Sequence, residues 1–149
     1  MASDADVVDK IHRLGGKATP QRLMIHKLMD GNTHHPTAEM VFEQARLNLP
    51  TISLTTVYNV LNDLVAMGEL KRFEVDGVSH YDPDTAPHAE VVCLQCGVIV
   101  DAPHPLEDAA LDVPGFQVTR TIVTHYGYCS QCRPVDALGV VSSPVVKAE

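Results

Sequence analysis

Four cysteines, Cys93, Cys96, Cys129 and Cys132, form two Cys-x-x-Cys pairs with 32 residues between them. One pair alone fits a redox dithiol as well as a metal knuckle. Two pairs that use every cysteine in the chain supply four thiolates, the complement of a closed tetrahedral zinc site. The opening segment, Met-Ala-Ser-Asp-Ala-Asp, has no basic flank and no apolar export signal. No apolar run approaches the ~20 residues that cross a bilayer. These features predict a soluble, cytoplasmic chain with no membrane partner, in which thiols stay reduced and a disulfide framework does not form. Structural zinc is the expected occupant, and a redox switch is its rival.

Groups of a different hardness lie nearby: His34, His35, Asp82, His88, Glu90, Asp101, His104 and His125. Imidazoles and carboxylates suit iron(II), manganese(II), zinc or nickel, and ligand type does not choose among these metals. His88 and Glu90 alternate along a predicted strand, which projects both from one face. Scattered histidines are more often ordinary surface residues than ligands, and His12, His34, His104 and His125 are read that way.

The elements that must position these groups come from 149 residues, 45% of them apolar, enough for one ordinary domain or two small ones. Val7, Val8, Ile11 and Leu14 recur at helical spacing before Gly15-Gly16. Thr19-Pro20 reads as a cap and first turn. It opens a helix that turns Met24, Ile25, Leu28 and Met29 inward and ends near Gly31. Thr37 caps a third helix through Val41, Phe42 and Ala45, broken by Pro50. Ser53 or Thr55 caps a fourth, with Val57, Leu61, Leu64 and Val65 buried and Gly68 at its stop. Two short apolar runs, 70–75 and 78–81, flank Asp76-Gly77, a strong hairpin signal. This order is that of a winged helix-turn-helix. The outward face of the fourth helix, Thr55, Tyr58, Asn59 and Asn62, suits base edges and phosphates in a major groove; a merely solvated surface is the plainer alternative.

Beyond a hinge at 83–87, strands are predicted over 89–94, 98–100 and 117–124. A short helix is expected over 105–112, and an unpatterned, flexible tail over 134–149. The expected organisation is therefore α+β: a winged-helix DNA-binding domain over 1–82, then a small α/β dimerisation and metal-binding domain over 88–133 that carries the four-cysteine zinc site. The net charge of −8 argues against nucleic acid, but its distribution does not. Residues 10–29 contain five Lys or Arg and no acid, whereas residues 81–149 hold three basic residues against nine acids. A phosphate-tolerant front half thus precedes a cation-attracting back half.

Several motifs, taken in order, resemble the ferric uptake regulator (Fur) superfamily of metal-dependent repressors over about residues 10–133. They are Thr19-Pro-Gln-Arg22, His35-Pro-Thr-Ala-Glu39, and Thr56-Val-Tyr58-Asn-Val-Leu61 with Asp63-Leu64 and Gly68. Cys93-x-x-Cys-Gly97 with Val100-Asp101, and Tyr126-Gly-x-Cys129-x-x-Cys132, complete the set. The resemblance implies a homodimer on a double-stranded palindromic operator, four-cysteine structural Zn(2+), and a regulatory Fe(2+) or Mn(2+) bridging the domains. Carried onto this chain, the regulatory ligands would be His35, Asp82, His88, Glu90 and Asp101. The DNA contacts would be Lys17, Arg22, Thr55, Thr56, Tyr58, Asn59 and Asn62. Asp82, His88 and Asp101 together most resemble the peroxide-sensing PerR branch. In that branch, iron(II) reacts with hydrogen peroxide and a ligating histidine, here His35 or His88, is oxidised.

Three departures stand out. His88-Ala-Glu90 replaces the usual His-x-His of that branch, and Asn59 follows Tyr58 where many relatives carry Arg. Pro87 and Ala89 also occupy positions of an additional metal site found in some iron-sensing members. The competing readings are an iron or manganese homeostasis repressor without peroxide sensing, and a metal-binding or redox protein with no DNA role. A zinc hydrolase is the third, but no HExxH or nucleophile motif supports an enzyme.

Overall fold

A computed structural model describes residues 4–13, 15–103 and 113–133. Leu14, His104, the helix expected over 105–112 and the tail over 134–149 lie outside the described residues. The chain divides into two compact units, Met1–Ala86 and Pro87–Glu149.

The first unit runs α1 (Asp4–Arg13), α2 (Pro20–Met29), α3 (Ala38–Ala45), α4 (Leu54–Ala66), β1 (Lys71–Val75) and β2 (Val78–Asp82). Three helices start on a side-chain cap that satisfies an otherwise orphaned backbone N–H. Thr19 accepts from the Arg22 N–H, Thr37 from Met40 and Ser53 from Thr56. Ser53, rather than Thr55, is therefore the cap of α4. That helix stops at Gly68, whose φ of 75° is the left-handed conformation a helix end requires. The Gly68 N–H donates to Val65 O and the Glu69 N–H to Leu64 O, closing the paired bonds of this stop. α3 ends at Ala45, earlier than Pro50 alone would dictate, because Leu47 and Asn48 donate to the carbonyls of Gln44 and Ala45 in tighter turns.

β1 and β2 pair antiparallel from Lys71↔Asp82 to Val75↔Val78. Asp76 (φ 51°) and Gly77 (φ 78°) form the connecting turn, the double positive φ that matches strand twist. The core of this unit packs Ile25, Met29, Val41, Ala45, Val57, Leu61, Leu64 and Tyr81. Leu61 is wholly buried at its centre. Leu61→Ala is expected to lower the unfolding free energy by about 2–5 kcal/mol through lost burial and a residual cavity. A urea titration checks this; an unchanged midpoint would contradict the packing described.

Among its described residues, the second unit forms a three-stranded sheet of β3 (Ala89–Cys93), β4 (Ile99–Ala102) and β5 (Thr124–Gly127), in the order β4-β3-β5. β4 lies antiparallel to β3, and β5 lies parallel to it. The strand expected over 117–124 is corrected: the ladder begins only at Thr124 and continues to Gly127. Alternating β-branched residues resemble a strand, but Glu90–Cys93 of β3 is already occupied by Thr124–Gly127. Val118 and Ile122 are left nearly half exposed.

Candidate metal centres and nucleic-acid interface

The turn joining β3 to β4 is the first cysteine knuckle. The Cys93 N–H donates to Val98 O, and the Gly97 N–H to Cys93 O. Gly97 adopts φ 73°, which closes the loop. The second knuckle follows β5 directly, so the parallel pairing of β5 with β3 carries Cys129 and Cys132 to the first. All four sulfurs lie within 4.8 Å of one another, and none is in a disulfide. Cys96 Sγ and Cys129 Sγ stand 3.8 Å apart. Zinc–sulfur bonds of ~2.3 Å at tetrahedral angles require a separation of about 3.8 Å.

Electrostatics point the same way. Backbone N–H groups of Cys129 and Cys96 donate toward Cys93 and lower its thiol to about 6, favouring the thiolate that binds metal. The Cys129 sulfur, followed by burial, pushes the Cys132 thiol up to about 12. Four sulfurs this close resist ionising together unless a cation joins them. The donor set fits zinc.

In the first unit, His35 and Asp82 are both buried, at 1% and 2% exposure. His35 Nε2 lies 3.7 Å from Asp82 Oδ2. His35 occupies the loop between α2 and α3 with φ 49°, a left-handed conformation unusual for a residue with a side chain. The loop is tied to the hairpin, since the Tyr81 N–H donates to Pro36 O. Asp82 ends β2, so the hairpin register sets its position.

In the second unit, Glu90 on β3 stands directly opposite Asp101 on β4. Like charges facing across a ladder repel, and Glu90 is wholly buried. His88 sits beside both, with Nε2 3.4 Å from Glu90 Oε1 and 3.6 Å from Asp101 Oδ1. Metal–ligand bonds of ~2.1 Å place neighbouring donors about 3.0–3.5 Å apart in octahedral or tetrahedral geometry. Hard donors at this spacing, with two carboxylates to neutralise, fit a divalent cation such as iron(II) or manganese(II).

On α4, Thr55, Asn59 and Asn62 are exposed, and Lys17 is exposed before α2. Other candidate contacts carry structural duties. Thr56 Oγ1 lies 2.8 Å from the capping Ser53 Oγ. Arg22 is ion-paired with Asp63, a tie across 41 residues of sequence that keeps its guanidinium against α4. Tyr58 donates its hydroxyl to Glu39 Oε1 at 2.6 Å. That bond holds the Glu39 carboxyl below its usual range and raises the Tyr58 phenol. Sequence reasoning missed Arg72 on β1, which donates to Asn62 Oδ1 at 3.4 Å and links the hairpin to the exposed face of α4. It also missed His80, whose Nδ1 lies 2.7 Å from the His35 carbonyl. Neither pairing carries a local signal.

The family model described as the ferric uptake regulator family matches residues 13–126. The chain is 34% identical over 133 residues to the peroxide-responsive repressor PerR of Staphylococcus saprophyticus, covering 86% of this chain and 90% of that protein. The Campylobacter jejuni peroxide stress regulator superposes with a TM-score of 0.61 at 27% identity, over 89% of this chain and 100% of that one. The Helicobacter pylori ferric uptake regulator Fur superposes with a TM-score of 0.72 over 91% of this chain and 97% of that one. At 17% identity, that last likeness speaks for the fold alone.

Proposed function

This chain belongs to the ferric uptake regulator family, and from that premise we propose that it is a metal-dependent DNA-binding repressor that senses peroxide. The observation that carries this reading is that each unit holds a group of hard ligands. Among the described residues, the first unit offers His35 and Asp82, and the second offers His88, Glu90 and Asp101. Together these five fall within the four to six donors a divalent ion takes. One ion shared by both units would therefore favour a single relative arrangement of them.

In this reading, the first unit is the DNA-binding domain and the four cysteines hold structural zinc. Thr55, Asn59 and Asn62 read the major groove, with Tyr58 at its edge and Lys17 on the phosphates. Arg22 fixes α2 to α4 through Asp63. A second copy of the chain covers the apolar side chains that the second unit leaves 40% to 54% exposed, Leu94, Val98, Val100, Tyr126 and Tyr128. Two-fold symmetry then matches a palindromic operator. The cytoplasm suits thiolates that must stay reduced, and no described helix is long and apolar enough to cross a membrane. The chain acts as a regulator rather than an enzyme.

Iron(II) held by His35, Asp82, His88, Glu90 and Asp101 would supply the reductant for hydrogen peroxide beside these imidazoles. His35 and His88 are the imidazoles in the ligand set, and modifying either removes a donor. The repressor then loses the arrangement that fits DNA.

The test is a mobility-shift titration of zinc-loaded protein with and without manganese(II). If the competent arrangement is ~1% populated without regulatory metal, adding it raises apparent operator affinity about 100-fold. Equal affinity in both conditions would refute metal dependence.

A further inference from the structure

We infer that His80 is a positioning residue that holds His35 in the backbone conformation its role as a ligand requires. This rests on the reading of His35 as a regulatory ligand. His35 is a buried residue at φ 49°, in a region that disfavours side chains and persists where surrounding structure imposes it. Three contacts from the β1–β2 hairpin converge on this short loop. His80 Nδ1 lies 2.7 Å from His35 O. A carbonyl only accepts, so Nδ1 carries the proton and donates. The Tyr81 N–H donates to Pro36 O at 3.0 Å. Phe73 stacks on His80 with ring centroids 5.7 Å apart and planes 22° apart, and meets His35 edge-on at 5.7 Å and 74°.

Phe73 and His80 are register partners across the hairpin, so the strand pairing itself delivers the donor. Asp82 lies two residues further along the same strand. One strand thus contributes a ligand directly and fixes a second through its backbone. Residues beyond the ligands that orient them typically govern metal affinity by 10–100-fold.

The experiment measures manganese(II) affinity of the full, zinc-loaded chain, with the EPR signal of free manganese(II) as readout, for three variants. His80→Phe keeps an aromatic ring against Phe73 and removes the donor. His80→Asn restores a donor, because its side-chain amide nitrogen falls close to the place of Nδ1. His35→Ala tests the ligand itself. The expected result is a loss of ~10–100-fold for His80→Phe, recovery to near the parent value for His80→Asn, and a weakened site for His35→Ala. Parent-like affinity in His80→Phe overturns the inference, and so does an equal loss in His80→Phe and His80→Asn. Parent-like affinity in His35→Ala overturns the ligand assignment and the inference with it. If the His80→Phe chain fails to fold, His80→Leu, which also removes the donor, takes its place: weakened binding that His80→Asn restores supports the inference, and parent-like binding overturns it.

Discussion

Replacing Cys96 by serine is expected to release the zinc and unfold the second unit, the largest effect of any single substitution in this chain. Among the described residues, the sheet of that unit has three strands of four or five residues each. Its two cysteine knuckles stand at the ends of β3 and β5, where four sulfurs cluster. A structural zinc site contributes about 10–16 kcal/mol at neutral pH, comparable to or larger than the ~5–15 kcal/mol that holds a whole domain together. Metal content by elemental analysis should fall from one zinc per chain to none, and the chain should lose solubility with it. A folded Cys96→Ser protein that retains stoichiometric zinc would refute the structural role. The Cys132 thiol, pushed up to about 12, must give up its proton when zinc binds. Zinc affinity should therefore weaken as pH falls, and loading at neutral pH should release protons to the buffer.

His88→Ala is expected to abolish metal-dependent DNA binding while leaving zinc and the dimer intact. The imidazole is the nitrogen donor of a group that otherwise consists of two facing carboxylates, Glu90 and Asp101. Its loss removes one of five proposed donors and returns the population toward the arrangement that does not fit DNA. With the competent arrangement again at ~1%, apparent operator affinity falls about 100-fold in saturating manganese(II). Size-exclusion chromatography and zinc analysis separate this outcome from unfolding. Undiminished binding, or a chain that no longer folds, would defeat the assignment.

What was legible in the sequence was local. The caps at Thr19, Thr37 and Ser53 each act on an N–H three residues ahead. Asp76-Gly77 encodes its turn in two residues, and each cysteine knuckle in four. The α4 stripe of Val57, Leu61 and Leu64 follows from helical spacing alone. What stayed hidden depends on partners far away in the chain. Nothing near Arg22 reveals its ion pair with Asp63, 41 residues on. His80 looks like one more residue of an alternating strand, although it lies beside the His35 carbonyl, 45 residues back. The strand expected over 117–124 fails for the same reason: its alternation is visible, but the ladder space on β3 is not. The hard-metal residues lie between these cases. Their chemistry is readable, but their grouping comes from family resemblance, and the opposition of Glu90 to Asp101 emerges only with the register.

The most direct test of the central claim compares DNA binding by the iron(II)-loaded and manganese(II)-loaded protein before and after hydrogen peroxide. The iron form alone is expected to lose operator affinity, with one oxygen atom added to the peptide carrying His35 or His88 and the zinc retained. Equal resistance of both forms would contradict peroxide sensing and leave a metal-homeostasis repressor. Equal loss from both, with oxidised cysteines and released zinc, would move the sensor to the sulfur site.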